Sequence, residues 1–130
     1  MKTDPKFLND LYVIKDIRKE MAGNTITLQI ELNSGHPIFR GHFPGNPVLP
    51  GVCTVQIIKE VLENQLKRNL NLKKAGTIKY LSFINPEMNR LISIDLQVKE
   101  GEDGKLICNA SVFHEATVFC IFRGEWAEEL

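Results

Sequence analysis

Several features are scarce in this chain, and each absence argues against a class of protein. Basic and acidic residues both number 16, so the formal net charge is zero, which gives no support for a nucleic acid or an anionic membrane surface as partner. No apolar run approaches the roughly 20 residues of a membrane-spanning helix, and no apolar stretch typical of a signal peptide follows the N-terminus. We therefore expect one cytoplasmic domain over residues 1–130.

Cysteine is also rare. Cys53, Cys108 and Cys120 are odd in number and widely spaced, which indicates neither a disulfide framework nor a zinc site. The three histidines lack metal-ligand spacing with an acidic residue, so no metal is predicted. We interpret the thiols as small buried side chains, with a nucleophilic Cys53 as the alternative.

The spacing of apolar residues predicts an α+β fold. Residues 25–32 alternate between apolar and polar, as in a half-buried strand. In a helix over 52–68, apolar side chains would cover more than half of the circumference, so we expect a curved antiparallel sheet to wrap around it. One further strand is predicted before residue 25, and three or four follow the helix. The predicted strands cover residues 11–17, 25–32, 77–84, 91–99, 106–114 and 117–126.

A loop rich in proline and glycine precedes the helix. Residues 41–51 hold three prolines and three glycines besides His42, so the segment is expected to be stiff and bent. The helix start offers free N–H groups and positive dipole character. An imidazole held beside it is well placed to bind and polarise a carbonyl group.

The same loop resembles the signature of the hot-dog-fold 3-hydroxyacyl-[acyl-carrier-protein] dehydratases of fatty-acid synthesis. The matching residues read His42-Phe43-Pro44-Gly45-x-Pro47-x-x-Pro50-Gly51-Val52. The resemblance implies a sheet around a central helix, and the removal of water from a 3-hydroxyacyl thioester to give a trans-2-enoyl thioester without a cofactor. It also implies an acyl carrier protein or coenzyme A thioester as partner, and a homodimer or higher oligomer with the active site at the interface.

The resemblance also assigns roles to residues. His42 would be the base that removes the proton next to the thioester, and the Gly51 N–H would bind the thioester oxygen. The dehydratases carry an acid five residues after this glycine, where this chain has Gln56, which cannot donate a proton at neutral pH. Glu60 shares its helix face and is a candidate replacement, although it also fits a solvated stripe with Glu63 and Lys67.

Further possibilities remain open at this point. His42 could carry out both proton transfers, and the missing acid favours a specialised lipid or polyene route over primary fatty-acid synthesis.

Two rival functions are a hot-dog thioesterase, in which Gln56 orients a water molecule, and a non-catalytic acyl-binding module. His36, His114 and Arg40 are weaker site candidates, and a basic cluster at 67–68 and 73–74 is either a solvated face or a carrier-docking surface. The predicted substrate-binding residues are Phe43, Pro44, Gly45, Pro50, Val52 and Val55.

Overall fold

The computed structural model describes residues 10–20, 24–40 and 45–129. In this part of the chain, six strands form one antiparallel sheet in the order β1-β2-β4-β5-β6-β3. One long helix, α1, follows β2 along the chain. The elements are β1 Tyr12–Glu20, β2 Thr25–Leu32, α1 Gly51–Leu66, β3 Leu70–Tyr80, β4 Leu91–Glu100, β5 Leu106–His114 and β6 Thr117–Glu128, with short 3-10 helices at Pro37–Phe39 and Glu102–Gly104.

The core lies between α1 and one face of the sheet. Alternate side chains over 28–32 of β2 and 92–96 of β4 are buried, as the alternation predicted, and they join the buried face of the helix in a single cluster. Burying one large aliphatic side chain contributes about 1.5–3 kcal/mol, so this contact is the main stabilising term. It confirms the predicted α+β fold. Helix residues in the cluster are Cys53, Ile57, Ile58, Val61 and Leu62.

The prediction for β3 was wrong. The strand was expected at 77–84 and runs from Leu70 to Tyr80. The helix ends at Leu66, with Lys67 in the left-handed conformation, and the Glu63 carboxylate accepts a hydrogen bond from the Leu70 N–H at 2.7 Å. β3 lies at a sheet edge with most of its residues exposed. The sequence therefore lacks the buried alternation that reveals a strand.

The cysteine prediction is confirmed. All three cysteines are free thiols and buried. Burial raises the pKa of Cys108 to about 12 and also raises the pKa of Cys53 and Cys120. A thiol with a raised pKa is a poor nucleophile at neutral pH, which argues against a reactive Cys53. The helices of the described residues fall short of the length and apolar character needed to cross a bilayer.

Gly124 gives a test of the β3–β6 pairing. A Cβ atom there would lie 2.9 Å from the backbone oxygen of Lys74 and 2.6 Å from Cζ of Phe122. Because a backbone atom cannot easily move aside, Gly124→Ala should lower the free energy of unfolding by about 1–3 kcal/mol, measured by urea denaturation.

Gly76, across the same strand pair, is the matched control for Gly124→Ala. A Cβ at Gly76 would lie 3.7 Å from the Arg123 oxygen, an ordinary contact. Gly76→Ala should leave the free energy of unfolding unchanged or slightly higher. Equal destabilisation by the two variants would contradict this description of the strand pair.

Candidate active site

The part of the proline- and glycine-rich loop that the structure describes, residues 45–51, is anchored to the core. His42, Phe43 and Pro44 lie outside the described residues. Gly45 is exposed, with a backbone φ of 80°. Leu49 is buried, and its N–H donates to the oxygen of Ile84 at 2.9 Å. This contact fixes the position of the loop immediately before the start of α1.

Helix α1 begins at Gly51 beneath an aromatic ring. Pro50 precedes it in an extended conformation and supplies no side-chain cap, and in the first turn the Cys53 N–H donates to the Pro50 oxygen at 2.9 Å. The Tyr80 hydroxyl donates to the Gly51 oxygen at 3.0 Å. A Cβ atom at Gly51 would lie 2.8 Å from the Tyr80 ring. A larger residue at position 51 would therefore displace the exposed Tyr80 ring, a contact that the sequence alone did not reveal.

Gln56 and Glu60 meet one turn apart on α1, as their spacing predicted. The Gln56 amide nitrogen, Nε2, donates to Oε2 of Glu60 at 3.1 Å. The alternative that Glu60 belongs to a solvated stripe was wrong, since its side chain is only 2% exposed. The physical reason is that Tyr12, the first residue of β1, packs against the core here: the hydroxyl of Tyr12 donates to Oε1 of Glu60 at 2.9 Å. Tyr12 was not among the predicted site residues.

The position of Tyr12 has an electrostatic consequence. Burial, the charge of Glu60 and the hydrogen bond to Glu60 raise the pKa of the Tyr12 hydroxyl well above that of free tyrosine, with a further contribution from the charge of Glu63. Each of these effects disfavours the tyrosinate anion. Tyr12 therefore remains a hydrogen-bond donor to the carboxylate in the folded protein.

The weaker candidates lie in ordinary structural settings. Nδ1 of His36 accepts a hydrogen bond from the Ile38 N–H at 3.0 Å and caps the first 3-10 helix. His114 ends β5 and lies 4.0 Å from a carboxylate oxygen of Glu115. Arg68, from the basic cluster, lies 3.5 Å from Glu100. Across residues 10–20, 24–40 and 45–129, no group of three His, Cys, Asp or Glu side chains could hold a metal ion.

The predicted substrate-binding side chains on α1 differ in exposure. Val52 is 71% exposed, whereas Val55 is half-buried against the core. The apolar space between α1 and the sheet, next to Ile57 and Ile84, measures about 10 Å³, which is near the minimum for one water molecule. This space is too small to hold an acyl chain.

An antiparallel sheet packed around one long helix is the hot-dog fold. The chain belongs to the ApeI-like family, whose family model is described as ApeI dehydratase and matches residues 18–118. The resemblance stated from the loop signature is thereby confirmed at the level of the family.

Three relatives show the extent of this similarity. The chain is 27% identical over 81 residues to the 3-hydroxyacyl-[acyl-carrier-protein] dehydratase FabZ of Zymomonas mobilis, covering 62% of this chain and 51% of the relative. The chain thus spans about half the length of that curated protein. The dehydratase heterocomplex ApeI:P of Xenorhabdus doucetiae has a TM-score of 0.69 at 16% identity, with 88% and 96% of the two chains covered. A hypothetical thioesterase with coenzyme A from Streptococcus pneumoniae has a TM-score of 0.62 at 11% identity, with 91% and 85% covered. The two structural likenesses show the fold.

The raised pKa of Tyr12 leads to a prediction for how the free energy of unfolding depends on alkaline pH. The folded protein keeps the Tyr12 proton at a pH where the unfolded chain, with an ordinary tyrosine pKa near 10, releases it. The unfolded state then binds fewer protons, so the Tyr12 contribution is present below about pH 10 and is lost as pH rises above it. Between about pH 9 and pH 11, the free energy of unfolding should fall further for wild type than for Tyr12→Phe, by about 1 kcal/mol.

Chemical denaturation at both pH values measures this difference. Tyr80→Phe is the matched control, because Tyr80 is 53% exposed and its pKa is raised by partial burial and the charge of Cys120. Removing the Tyr80 hydroxyl should change the pH dependence less than removing that of Tyr12. Parallel curves for wild type and Tyr12→Phe would contradict the buried Tyr12–Glu60 contact.

Proposed function

We propose that this protein is a dehydratase that converts a 3-hydroxyacyl thioester into a trans-2-enoyl thioester in fatty-acid or related lipid synthesis. Membership of the ApeI-like dehydratase family carries the proposal. The uncapped start of α1 at Gly51 and the polar pair of Gln56 and Glu60 on the same helix support it. The acyl group is carried by acyl carrier protein or coenzyme A, and three free thiols suit a reducing cytoplasm.

Two groups act on the thioester in this proposal. The N–H of Gly51 binds the thioester oxygen, where negative charge develops as the α-proton leaves. His42 removes that proton, since an imidazole titrates near neutral pH and can both accept and return a proton. The positive end of the helix dipole adds to the stabilisation of the enolate-like charge.

The departing hydroxyl needs a proton, and Gln56 cannot supply it. In the proposed reaction His42 takes the proton from the α-carbon, the C–O bond at the β-carbon breaks, and the same imidazole returns the proton to the hydroxyl, which leaves as water. Glu60 is the alternative donor. Its 2% exposure and its contacts with Tyr12 and Gln56 favour His42.

A His42→Ala variant tests the proposed function. With a 3-hydroxyacyl coenzyme A thioester, the wild-type protein should produce the ultraviolet absorbance of the enoyl thioester, and His42→Ala should be slower by about 10²–10⁴-fold. His114→Ala is the matched control and should keep the wild-type rate. Absence of enoyl product from the wild-type protein, or an unchanged rate in His42→Ala, would refute the dehydratase proposal.

A thioesterase is the second candidate. The observation that favours it is Gln56, because an amide can hold a water molecule for attack on a carbonyl group but cannot protonate a leaving hydroxyl. Release of free thiol from both a saturated and a 3-hydroxyacyl thioester would identify hydrolysis. Binding of the acyl group with neither product would identify a non-catalytic acyl-binding module.

We also propose a homodimer joined through β3. This strand is at the edge of the sheet, so the backbone groups on its outer side lack a strand partner within the described chain. Ile78 and Tyr80 are exposed on it, and Leu81 and Phe83 are exposed just after it. A long edge strand with exposed apolar side chains is a template for pairing with another chain. The family resemblance implies that the active site of such a dimer takes His42 from one copy and Gln56 from the other.

The oligomeric state tests this interface. Ile78 is 37% exposed on β3, and Val13 is 55% exposed on β1 at the opposite edge of the sheet. Light scattering after size-exclusion chromatography should give twice the chain mass for wild type and for Val13→Lys, and a monomer mass for Ile78→Lys. A change in mass with Val13→Lys alone would place the interface at β1 instead.

A further inference from the structure

The carboxylate of Glu60 binds two donors that come from different elements of the fold. The Tyr12 hydroxyl reaches it from β1 at 2.9 Å, and the Gln56 amide reaches it from the preceding turn of α1 at 3.1 Å. Each donor contacts a different oxygen of the carboxylate. Hydrogen bonds of a buried group are stronger than those in water and restrain the side chains that make them.

These contacts decide which way the Gln56 amide faces. The amide nitrogen, which is the donor, faces the Glu60 carboxylate, so the amide oxygen, Oε1, is turned away from Glu60. Gln56 is half-buried, in contrast to Glu60. Of the two side chains, Gln56 is thus the more accessible to a ligand, and its amide oxygen, an acceptor, is the atom that does not contact Glu60.

We infer that Tyr12 and Glu60 are positioning residues that hold the amide oxygen of Gln56 towards the 3-hydroxyl of the acyl chain. This inference rests on the proposed dehydration. The hydroxyl donates its hydrogen bond to Oε1 of Gln56, which leaves the lone pairs of the hydroxyl oxygen free to accept the returning proton. Gln56 gains and loses no proton. The proton that leaves with the water is the one that His42 removed from the α-carbon.

Two variants test the chain from Tyr12 through Glu60 to Gln56. Tyr12→Phe removes one support of the carboxylate, and Glu60→Gln replaces the carboxylate by an amide that also has an acceptor. Because a misplaced contact group slows a reaction without removing its chemistry, each variant should lower kcat for enoyl formation by about 10- to 100-fold. KM should change less than about threefold, and the shape of the pH–rate profile should stay that of wild type, since His42 still titrates.

Thr27→Val is the matched control for Tyr12→Phe. The Thr27 hydroxyl donates to the Asp95 carboxylate at 2.8 Å, so this variant removes a similar hydrogen bond away from α1. It should keep the wild-type kcat, even where its melting temperature falls as much as that of Tyr12→Phe. A kcat loss in both variants would show only a general effect of lost stability and would overturn the inference.

The remaining outcomes separate this inference from the proposed function. A wild-type kcat in Tyr12→Phe would overturn the positioning role while leaving the dehydration intact. Loss of all activity in Glu60→Gln, together with one limb of the pH–rate profile, would make Glu60 the acid itself. If the wild-type protein forms no enoyl product, the proposed function fails, but the contact between Gln56 and Glu60 can still be tested by the NMR resonances of the Gln56 side-chain amide. Tyr12→Phe should shift these resonances and speed the exchange of the amide protons with solvent. Thr27→Val should do neither.

Discussion

Burial of the Glu60 carboxylate is the constraint on which the arrangement of this site depends. A buried charged group is costly unless hydrogen bonds replace the water that it loses. At Glu60 those bonds come from Tyr12 on β1 and from Gln56 on α1. Loss of either donor would remove one of the hydrogen bonds that compensate for this burial. The Glu60 carboxylate therefore fixes the start of β1 and the Gln56 side chain relative to α1.

The helix start is shaped by a second contact from the sheet. Tyr80 stands at the end of β3, donates to the Gly51 oxygen and occupies the space that a Cβ would need. Because β3 begins immediately after α1, with the Leu70 N–H bonded to Glu63, the register of the strand determines where Tyr80 falls. The predicted strand over 77–84 contained Tyr80, but without the register it did not show that this residue covers the first turn of the helix.

The residues that determine the fold were visible in the sequence because their signals are local. Alternation in residues 25–32 and the apolar circumference of the helix depend only on nearest neighbours along the chain, and the structure confirms both. Edge strand β3 carries no such signal, since an edge strand with most of its side chains in solvent need not alternate. The spacing of Gln56 and Glu60 likewise predicted that they share a helix face, because a helix repeats about every 3.6 residues.

The sequence by itself determined an antiparallel sheet around one helix, three buried thiols and a signature loop that identifies the family. Only the tertiary structure decided that Glu60 is buried rather than solvated, that Tyr12 binds it and that Tyr80 covers Gly51. Tyr12 and Glu60 are separated by 48 positions along the chain, and Tyr80 and Gly51 by 29. No local pattern reports which side chains meet over such separations, because the meeting depends on how the strands pair and where the sheet closes over the helix.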